Sequence, residues 1–200
     1  MQTSARAEIE LTGVSPLVLN NIRLADPTDP VVIKIKEITS KPRKTPEDLA
    51  NKEELQWRGS LYLDANGNLI FPVRNILKGI SEAARGFKLG PAVERGGVGF
   101  IEVEVPLIHD GPDDPAKLWE DGRYRFRTIV NGNPSSRNRA MVPSMRPIFP
   151  VWSLKLSALV FTDILGWDDF IKTTDATGAQ GIGNARKLGM GKFEAKVTRL

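Results

Sequence analysis

The order of periodic segments is the feature that most constrains how this chain can fold. Residues 5–12 alternate strictly between apolar and polar side chains, which predicts a half-buried strand. Residues 73–85 instead repeat their apolar side chains at helical spacing, which predicts a core helix. Strands predicted over 99–106, 151–161 and 192–199, with a helix opening at Asp163, complete the order strand, helix, strand, strand, helix, strand. This order predicts an α+β fold with a ferredoxin-like βαββαβ core, the arrangement that also underlies the RNA-recognition motif.

Two details of this prediction concern side-chain direction. In the second strand we expect Ile101, Val103 and Val105 to share one face. In the second helix we expect Asp163 to act as the N-cap. That helix should turn three apolar side chains inward, namely Ile164, Trp167 and Ile171.

Two long segments interrupt the predicted core. Residues 14–72 are predicted to form a helical and hairpin insertion, and residues 108–149 a basic, thumb-like hairpin insertion. A chain of 200 residues is long enough for one domain with insertions, so we predict a single domain over residues 1–200.

Composition excludes several classes of protein. The chain has no cysteine and one histidine, which excludes disulfide scaffolds and most zinc sites. We therefore expect no metal and no cofactor. The sequence shows no apolar run long enough for a signal peptide or a membrane span, so we expect a cytoplasmic protein without a membrane partner.

Charge is segregated along the chain. Residues 122–200 hold 13 Lys and Arg against 5 Asp and Glu, whereas the first 121 residues carry a net charge of −4. The stretch 122–162 has seven basic residues and no acid. Such a run is often an ordinary solvated face. Like charges repel one another, however, so the run favours contact with a polyanion such as a nucleic acid.

A glycine-rich segment, GAQGIGNARKLGMGKF, lies between the last predicted helix and the last strand. Glycine allows a backbone to approach a phosphate closely, and Arg186 and Lys187 suit an anionic chain. The segment is neither a dinucleotide-binding fingerprint nor a phosphate-binding P-loop, since it follows a helix and precedes a strand. A helix C-cap followed by a mobile loop is the alternative interpretation.

The sequence offers no strong catalytic constellation. His109 stands beside Asp110 at a predicted strand end and could act as a general acid or base in RNA cleavage. No second histidine and no serine nucleophile elbow accompany it. We therefore expect a protein that is not an enzyme and leave any catalytic role of His109 open.

Three segments together resemble a known family. An early LTGVSPLVLNN, the stretch RPIFPVWSLKL and the later GIGNARKLGMGKFEAKV, set in a ferredoxin-like order, are similar to the RAMP superfamily of CRISPR systems. The nearest branch is the backbone subunits that polymerise along guide RNA, including stand-alone relatives from phages or prophages.

The resemblance implies a domain that holds the backbone of a single strand, with neighbouring copies stacked into a homo-oligomer or filament within a ribonucleoprotein. It implies that three regions bind the nucleic acid: the first core helix, the thumb-like insertion and the glycine-rich loop. The residues carried over are Arg74, Lys78, Arg137, Arg139, Arg146, Gly181, Gly183, Arg186 and Lys187.

From charge and resemblance together we predict a non-enzymatic, largely sequence-independent protein for single-stranded nucleic acid, with RNA favoured over single-stranded DNA. One alternative is a RAMP-type endoribonuclease that processes RNA. The other is a phage structural or assembly protein with a basic interaction arm.

Overall fold

The computed structural model describes residues 3–131 and 141–200, and the chain divides into two compact units. The core unit comprises Met1–Leu17, Leu63–Asp110 and Phe149–Leu200. The insertion unit comprises Val18–Tyr62 and Gly111–Ile148. The chain thus leaves the core unit twice and returns to it twice.

The core unit is built on an antiparallel sheet. Its strands are β1 (Ser4–Gly13), β4 (Val98–Phe100), β6 (Ile108–His109), β9 (Trp152–Phe161) and β10 (Phe193–Arg199). The order is β10-β1-β9-β4, and β6 also pairs with β9. Counted along the core, the four main strands stand in the order fourth, first, third, second, and this confirms the predicted ferredoxin-like α+β fold.

Two helices complete the predicted core. The first, α3 (Val73–Arg85), has the predicted bounds, and the second, α6 (Trp167–Gln180), packs against it. In β1 the apolar side chains predicted to share a face are all buried, while their neighbours Arg6, Glu8 and Thr12 are exposed. One face of β1 therefore contributes to the hydrophobic core and the other is open. A three-residue helix, α4 (Gly90–Ala92), follows α3.

The start of α6 differs from the prediction. The helix begins at Trp167 with Gly166 as its N-cap, and the predicted cap Asp163 instead accepts a hydrogen bond from the backbone N–H of Thr3 at 2.8 Å. A carboxylate engaged by Thr3, the residue before β1, is not available to cap a helix four residues later. The acidic residues Asp168 and Asp169 lie in the first helical turn, where the helix dipole favours negative charge.

The inward face of α6 is also not the one predicted. Ile164, Trp167 and Ile171 are only half-buried. The buried positions are Phe170, Thr173, Thr174, Thr177 and Gly178. Each of the three threonine hydroxyls donates to the carbonyl four residues earlier, at 2.7 to 2.8 Å, so their polar atoms are satisfied inside the helix. Threonine can then present its methyl group to the core.

The second predicted strand is broken. After β4 the chain leaves the sheet, and Ile101 and Val103 are 50% and 85% exposed, so the expected apolar face of three residues is wrong. Only Val105 is buried, because β5 (Glu104–Pro106) pairs with β3 (Ile70–Pro72) in a separate two-stranded sheet. At the break, the Glu102 carboxylate accepts the backbone N–H of Ser157 at 2.9 Å and so replaces a strand carbonyl.

Among its described residues, the insertion unit contains three α-helices, a short 3-10 helix (Ile22–Ala25) and most of a small sheet. The helices are α1 (Pro30–Thr39), α2 (Pro46–Ser60) and α5 (Pro115–Asp121), and the strands are β2 (Leu17–Val18), β7 (Arg125–Asn131) and β8 (Met141–Phe149). Thr45 and Asp48 form a capping box that starts α2. The Trp57 indole N–H donates to the Tyr124 carbonyl at 2.7 Å, and its ring lies 5.5 Å from that of Trp119. The buried Trp57 side chain thus connects α2 to α5 and to the start of the hairpin.

Within residues 3–131 and 141–200, the structure contains no candidate membrane-spanning helix.

Candidate nucleic-acid interface

A basic stripe follows the exposed side of α3. Arg74 and Lys78 are four residues apart and Arg85 follows in the last turn, and all three side chains are exposed. The opposite side of the helix carries the buried apolar residues. Positions that repeat every three to four residues share one face of a helix, so the amphipathic pattern of α3 places its cations on a single surface.

The glycine-rich segment forms a defined loop over residues 181–191, which we call the glycine loop. Five of its residues have positive φ, namely Gly181, Gly183, Ala185, Gly189 and Gly191. Two of these glycines are required by close backbone approach within the loop. A Cβ on Gly181 would lie 2.5 Å from the Met190 carbonyl oxygen, and one on Gly191 would lie 1.9 Å from that of Ile182.

Gly181 is buried against the opposite side of its own loop, so only glycine fits at this position. Gly183 is half-buried with a φ of 76°. Gly189 has a φ of 81°, and open space surrounds the position of its missing Cβ. The positive φ values, rather than contact with other atoms, therefore explain glycine at position 189.

An ion pair joins the glycine loop to α3. The Arg186 guanidinium lies 2.6 Å from the Glu82 carboxylate, and both side chains are about one-third exposed. The hydrogen bond from Arg186 lowers the pKa of Glu82 below its usual value, and the positive charges of Arg186, Lys78 and Arg85 lower it further. The Glu82 carboxylate thus lies within the positive field of both the stripe and the loop. The sequence pattern did not indicate Glu82, because an acid at position 82 reads as an ordinary exposed helix residue.

The backbone at Arg186 adds donors to these cations. Ala185 adopts the left-handed conformation, with φ 58° and ψ 23°, and a short 3-10 turn (Arg186–Leu188) follows it. A left-handed residue next to a right-handed one directs successive N–H groups into a shared concavity, a geometry that suits anions. In the described part of the chain, no acceptor takes the backbone N–H of Arg186 or Lys187.

Five of the nine predicted binding residues thus lie on α3 or in the glycine loop and are at least partly exposed to solvent. Arg74, Lys78 and Lys187 are exposed, Arg186 is half-buried beside Glu82, and Gly183 is half-buried in the loop. Gly181 lies in the same loop but is buried. Together these residues form the surface that we call the α3 and loop surface.

The binding residues predicted in the thumb-like insertion lie either in the insertion unit or outside the described residues. Arg146 is in β8 of the insertion unit, where it is half-buried and donates to the Met145 carbonyl at 3.0 Å. Burial lowers the pKa of its guanidinium. Arg137 and Arg139 lie outside the described residues.

Three other arginines of the thumb-like insertion have partners. Arg123 and Arg127 pair with Asp121 at 3.0 Å and with Glu53 at 2.8 Å, and the Arg125 guanidinium lies 4.8 Å from the centre of the Trp119 ring. The run 122–162 carries no acid of its own, but α2 and α5 supply acids to it. The repulsion expected from the linear sequence is therefore partly relieved within the insertion unit.

The open face of the core sheet has a different character. A groove of about 410 Å³ on this face is lined by Glu8, Glu10, Glu102, Lys155 and Lys196, among others. Lys155 and Glu10 lie 3.2 Å apart as an ion pair. In RNA-recognition motifs the open sheet face carries aromatic side chains that stack on bases. With three acids against two lysines, this groove is a less favourable surface for phosphates than the α3 and loop surface.

His109 lies in β6 opposite Trp152 of β9. Its ring is half-buried and lies 5.1 Å from that of Phe149. Packing against an aromatic ring is compatible with a structural role for this histidine.

Comparisons with known proteins support the fold. Neither a protein family model nor a curated protein sequence matches the chain. A chain in the cryo-EM structure of the Type III-B Cmr-beta bound to cognate target RNA has the same fold, with a TM-score of 0.57 and 13% sequence identity. The superposition covers 98% of this chain and 61% of that one. This chain therefore spans less than two thirds of the length of that neighbour, and the likeness concerns the fold.

Proposed function

We propose that this protein binds single-stranded nucleic acid, with RNA preferred over single-stranded DNA, and that it does so without catalysing a reaction. The α3 and loop surface is the observation that carries the proposal. It combines the exposed cations Arg74, Lys78 and Lys187 with the backbone N–H groups of Arg186 and Lys187. Ammonium and guanidinium groups and backbone amides are the donors that proteins use for phosphates.

Phosphate contacts carry little sequence information, so we expect binding to be largely independent of sequence. The thumb-like insertion, with Arg137, Arg139 and Arg146, is proposed as a second contact along the same strand. Gly181 is proposed to contribute by shaping the glycine loop. Gly183 is proposed to contribute by allowing the nucleic-acid backbone to approach the loop closely.

The structural neighbour supports RNA as the preferred ligand, because it belongs to an assembly bound to cognate target RNA. By analogy with its fold, we propose that this chain works as a CRISPR-associated RNA-binding subunit in a multi-subunit ribonucleoprotein. Several copies along one strand are part of the same proposal.

The test is a binding titration with the full chain. Protein freed of nucleic acid by nuclease digestion is titrated into fluorescent 30-nucleotide RNA, the matching single-stranded DNA and the matching RNA duplex, and anisotropy is recorded from 50 to 200 mM salt. We expect the tightest binding to single-stranded RNA and similar affinities for unrelated sequences. A flat response to salt would contradict the proposal, because neutralising each phosphate releases condensed counterions.

Two further measurements test the copy number and the absence of catalysis. The mass of the complexes, measured by light scattering, should rise stepwise as the RNA is lengthened. Labelled hairpin RNA should stay intact after prolonged incubation. Cleavage that His109→Ala abolishes would instead support an endoribonuclease.

A further inference from the structure

A segment that follows β1 is clamped to the glycine loop by backbone hydrogen bonds. The N–H groups of Val14 and Ser15 donate to the Lys192 carbonyl, at 2.9 and 3.2 Å. The N–H of Gly191 donates in return to the Pro16 carbonyl at 2.7 Å. The end of the glycine loop therefore pairs with residues 14–16, all within the core unit.

The Ser15 side chain completes this clamp. Its hydroxyl donates to the Gly189 carbonyl at 2.9 Å and accepts the N–H of Lys192 at 2.8 Å. One hydroxyl thus bridges two backbone groups on either side of Gly191. An alanine at position 15 would leave both groups without this partner.

Trp152 fixes the segment from the other side. Its indole N–H donates to the Ser15 carbonyl at 2.8 Å. A Cβ on Gly13 would lie 2.3 Å from the same indole nitrogen, so the ring packs directly on the backbone there. Ser15 is therefore held at both its carbonyl and its hydroxyl, and it has little freedom to move away from the loop.

The clamp bears on the loop residues that would meet phosphate. The Ile182 N–H donates to the Gly191 carbonyl at 2.9 Å, which links the clamped end of the loop to its beginning. Between these two ends stand Ala185, in its left-handed conformation, and the 3-10 turn with Arg186 and Lys187. The position of the turn thus depends on both ends of the loop staying together.

We infer that Ser15 is a positioning residue, which holds the glycine loop in the form that presents the Arg186 and Lys187 amides to a phosphate. The inference rests on the proposed function and adds a residue that would not itself touch the nucleic acid. Without the hydroxyl, the loop samples other conformations, and binding must then order it at a cost in free energy.

The experiment compares Ser15→Ala with Ser15→Thr, which keeps the hydroxyl. Ser60→Ala is the matched control, because the Ser60 hydroxyl also donates to a backbone carbonyl, that of Gln56 at 2.7 Å, but lies in the insertion unit. Hydrogen exchange of the amides at 189–192 is measured without RNA, and anisotropy gives RNA affinity and its salt slope.

We expect Ser15→Ala to speed exchange at 189–192 and to weaken RNA binding roughly fivefold, as the loss of about one hydrogen bond's worth of free energy would do. The salt slope should become shallower by about 0.7 for each phosphate contact that the loop loses. Ser15→Thr should restore affinity and slope, and Ser60→Ala should leave both unchanged.

The outcomes separate this inference from the proposed function. If the wild-type chain binds RNA with a steep salt slope but Ser15→Ala binds equally well, the positioning role is wrong and the proposed function stands. If the wild-type chain shows no salt-dependent binding, the proposed function is wrong. Unchanged exchange at 189–192 in Ser15→Ala would overturn the clamp itself, whatever the RNA result.

Discussion

Removing two cations from α3 should halve the salt dependence contributed by the core unit. The double variant Arg74→Gln and Lys78→Gln takes away two of the four basic side chains of the α3 and loop surface, the others being Arg186 and Lys187. Arg85, at the end of the stripe, is not part of that set and pairs with Glu94 at 3.3 Å. Both substituted side chains are exposed, so the fold should tolerate the change. Glutamine keeps the side chain polar and helix-compatible, which isolates the effect of charge.

The magnitude follows from counterion release. With a slope of about −0.7 per phosphate contact on a single strand, four contacts give about −2.8, so affinity should fall roughly fiftyfold between 50 and 200 mM salt. Two contacts give about −1.4 and a roughly sevenfold fall over the same range. Any contacts from the thumb-like insertion would add the same amount to both slopes, so the difference of about 1.4 is the diagnostic quantity.

The assay is an anisotropy titration of the wild-type chain and the variants at five salt concentrations. The matched control is Arg6→Gln with Lys196→Gln, which removes one arginine and one lysine from the open face of the core sheet. It changes the net charge equally, so we expect a wild-type slope. Equal slopes for both double variants would refute the assignment of phosphate contacts to α3, because removing charge from α3 would then have no more effect than removing it from the open sheet face.

Three further predictions concern the glycine loop and its ion pair. Glu82→Gln should tighten RNA binding about two- to threefold at 50 mM salt, because it removes one negative charge beside the cations and still lets Arg186 find an acceptor; weaker binding, measured by anisotropy, would contradict this reasoning. Gly191→Ala should lower the free energy of unfolding in urea by more than about 2 kcal/mol, because its Cβ would clash with the Ile182 carbonyl oxygen. Gly189→Ala, which has open space but a positive φ, should cost only about 1 kcal/mol, and equal losses would argue against the clash. The pKa of Glu82 is lowered in the folded chain, so its stabilising contribution is present above the ordinary glutamate value and is lost as the pH falls through the lowered value. Glu82→Gln should therefore lose less stability than the wild-type chain as the pH falls, which circular dichroism can follow. Identical acid-unfolding profiles for the two chains would contradict this prediction.

The fold could be predicted where a segment's own pattern decides its structure. The helix α3 has both predicted bounds, because its apolar repeat is local and tertiary contacts reinforce it. The prediction failed where distant groups decide. Asp163 does not cap α6 because Thr3, at the other end of the chain, takes its carboxylate. The buried threonines of α6 read as polar, because nothing in the sequence shows that each hydroxyl is satisfied within the helix.

The prediction of the second strand failed for a related reason. Alternating apolar residues over 99–106 predict one continuous strand, but Glu102 replaces a backbone carbonyl against β9, and β5 then pairs with β3 instead. Alternation reports which side chains could share a face. It does not report whether a partner strand is present along the whole length, and that depends on residues far away in the sequence.

The same distinction applies to the candidate site. The basic run 122–162 has the highest local density of positive charge in the sequence. In the structure, however, Arg127 forms an ion pair with Glu53, 74 residues earlier, and Arg123 forms one with Asp121. A linear count of charge overstates the field wherever folding brings acids to the run. The stripe on α3 has fewer charges in the sequence. Because the apolar side of α3 packs against the core, the cations on its other side must face solvent. Helical periodicity thus located an exposed cationic surface more securely than the local density of charge did.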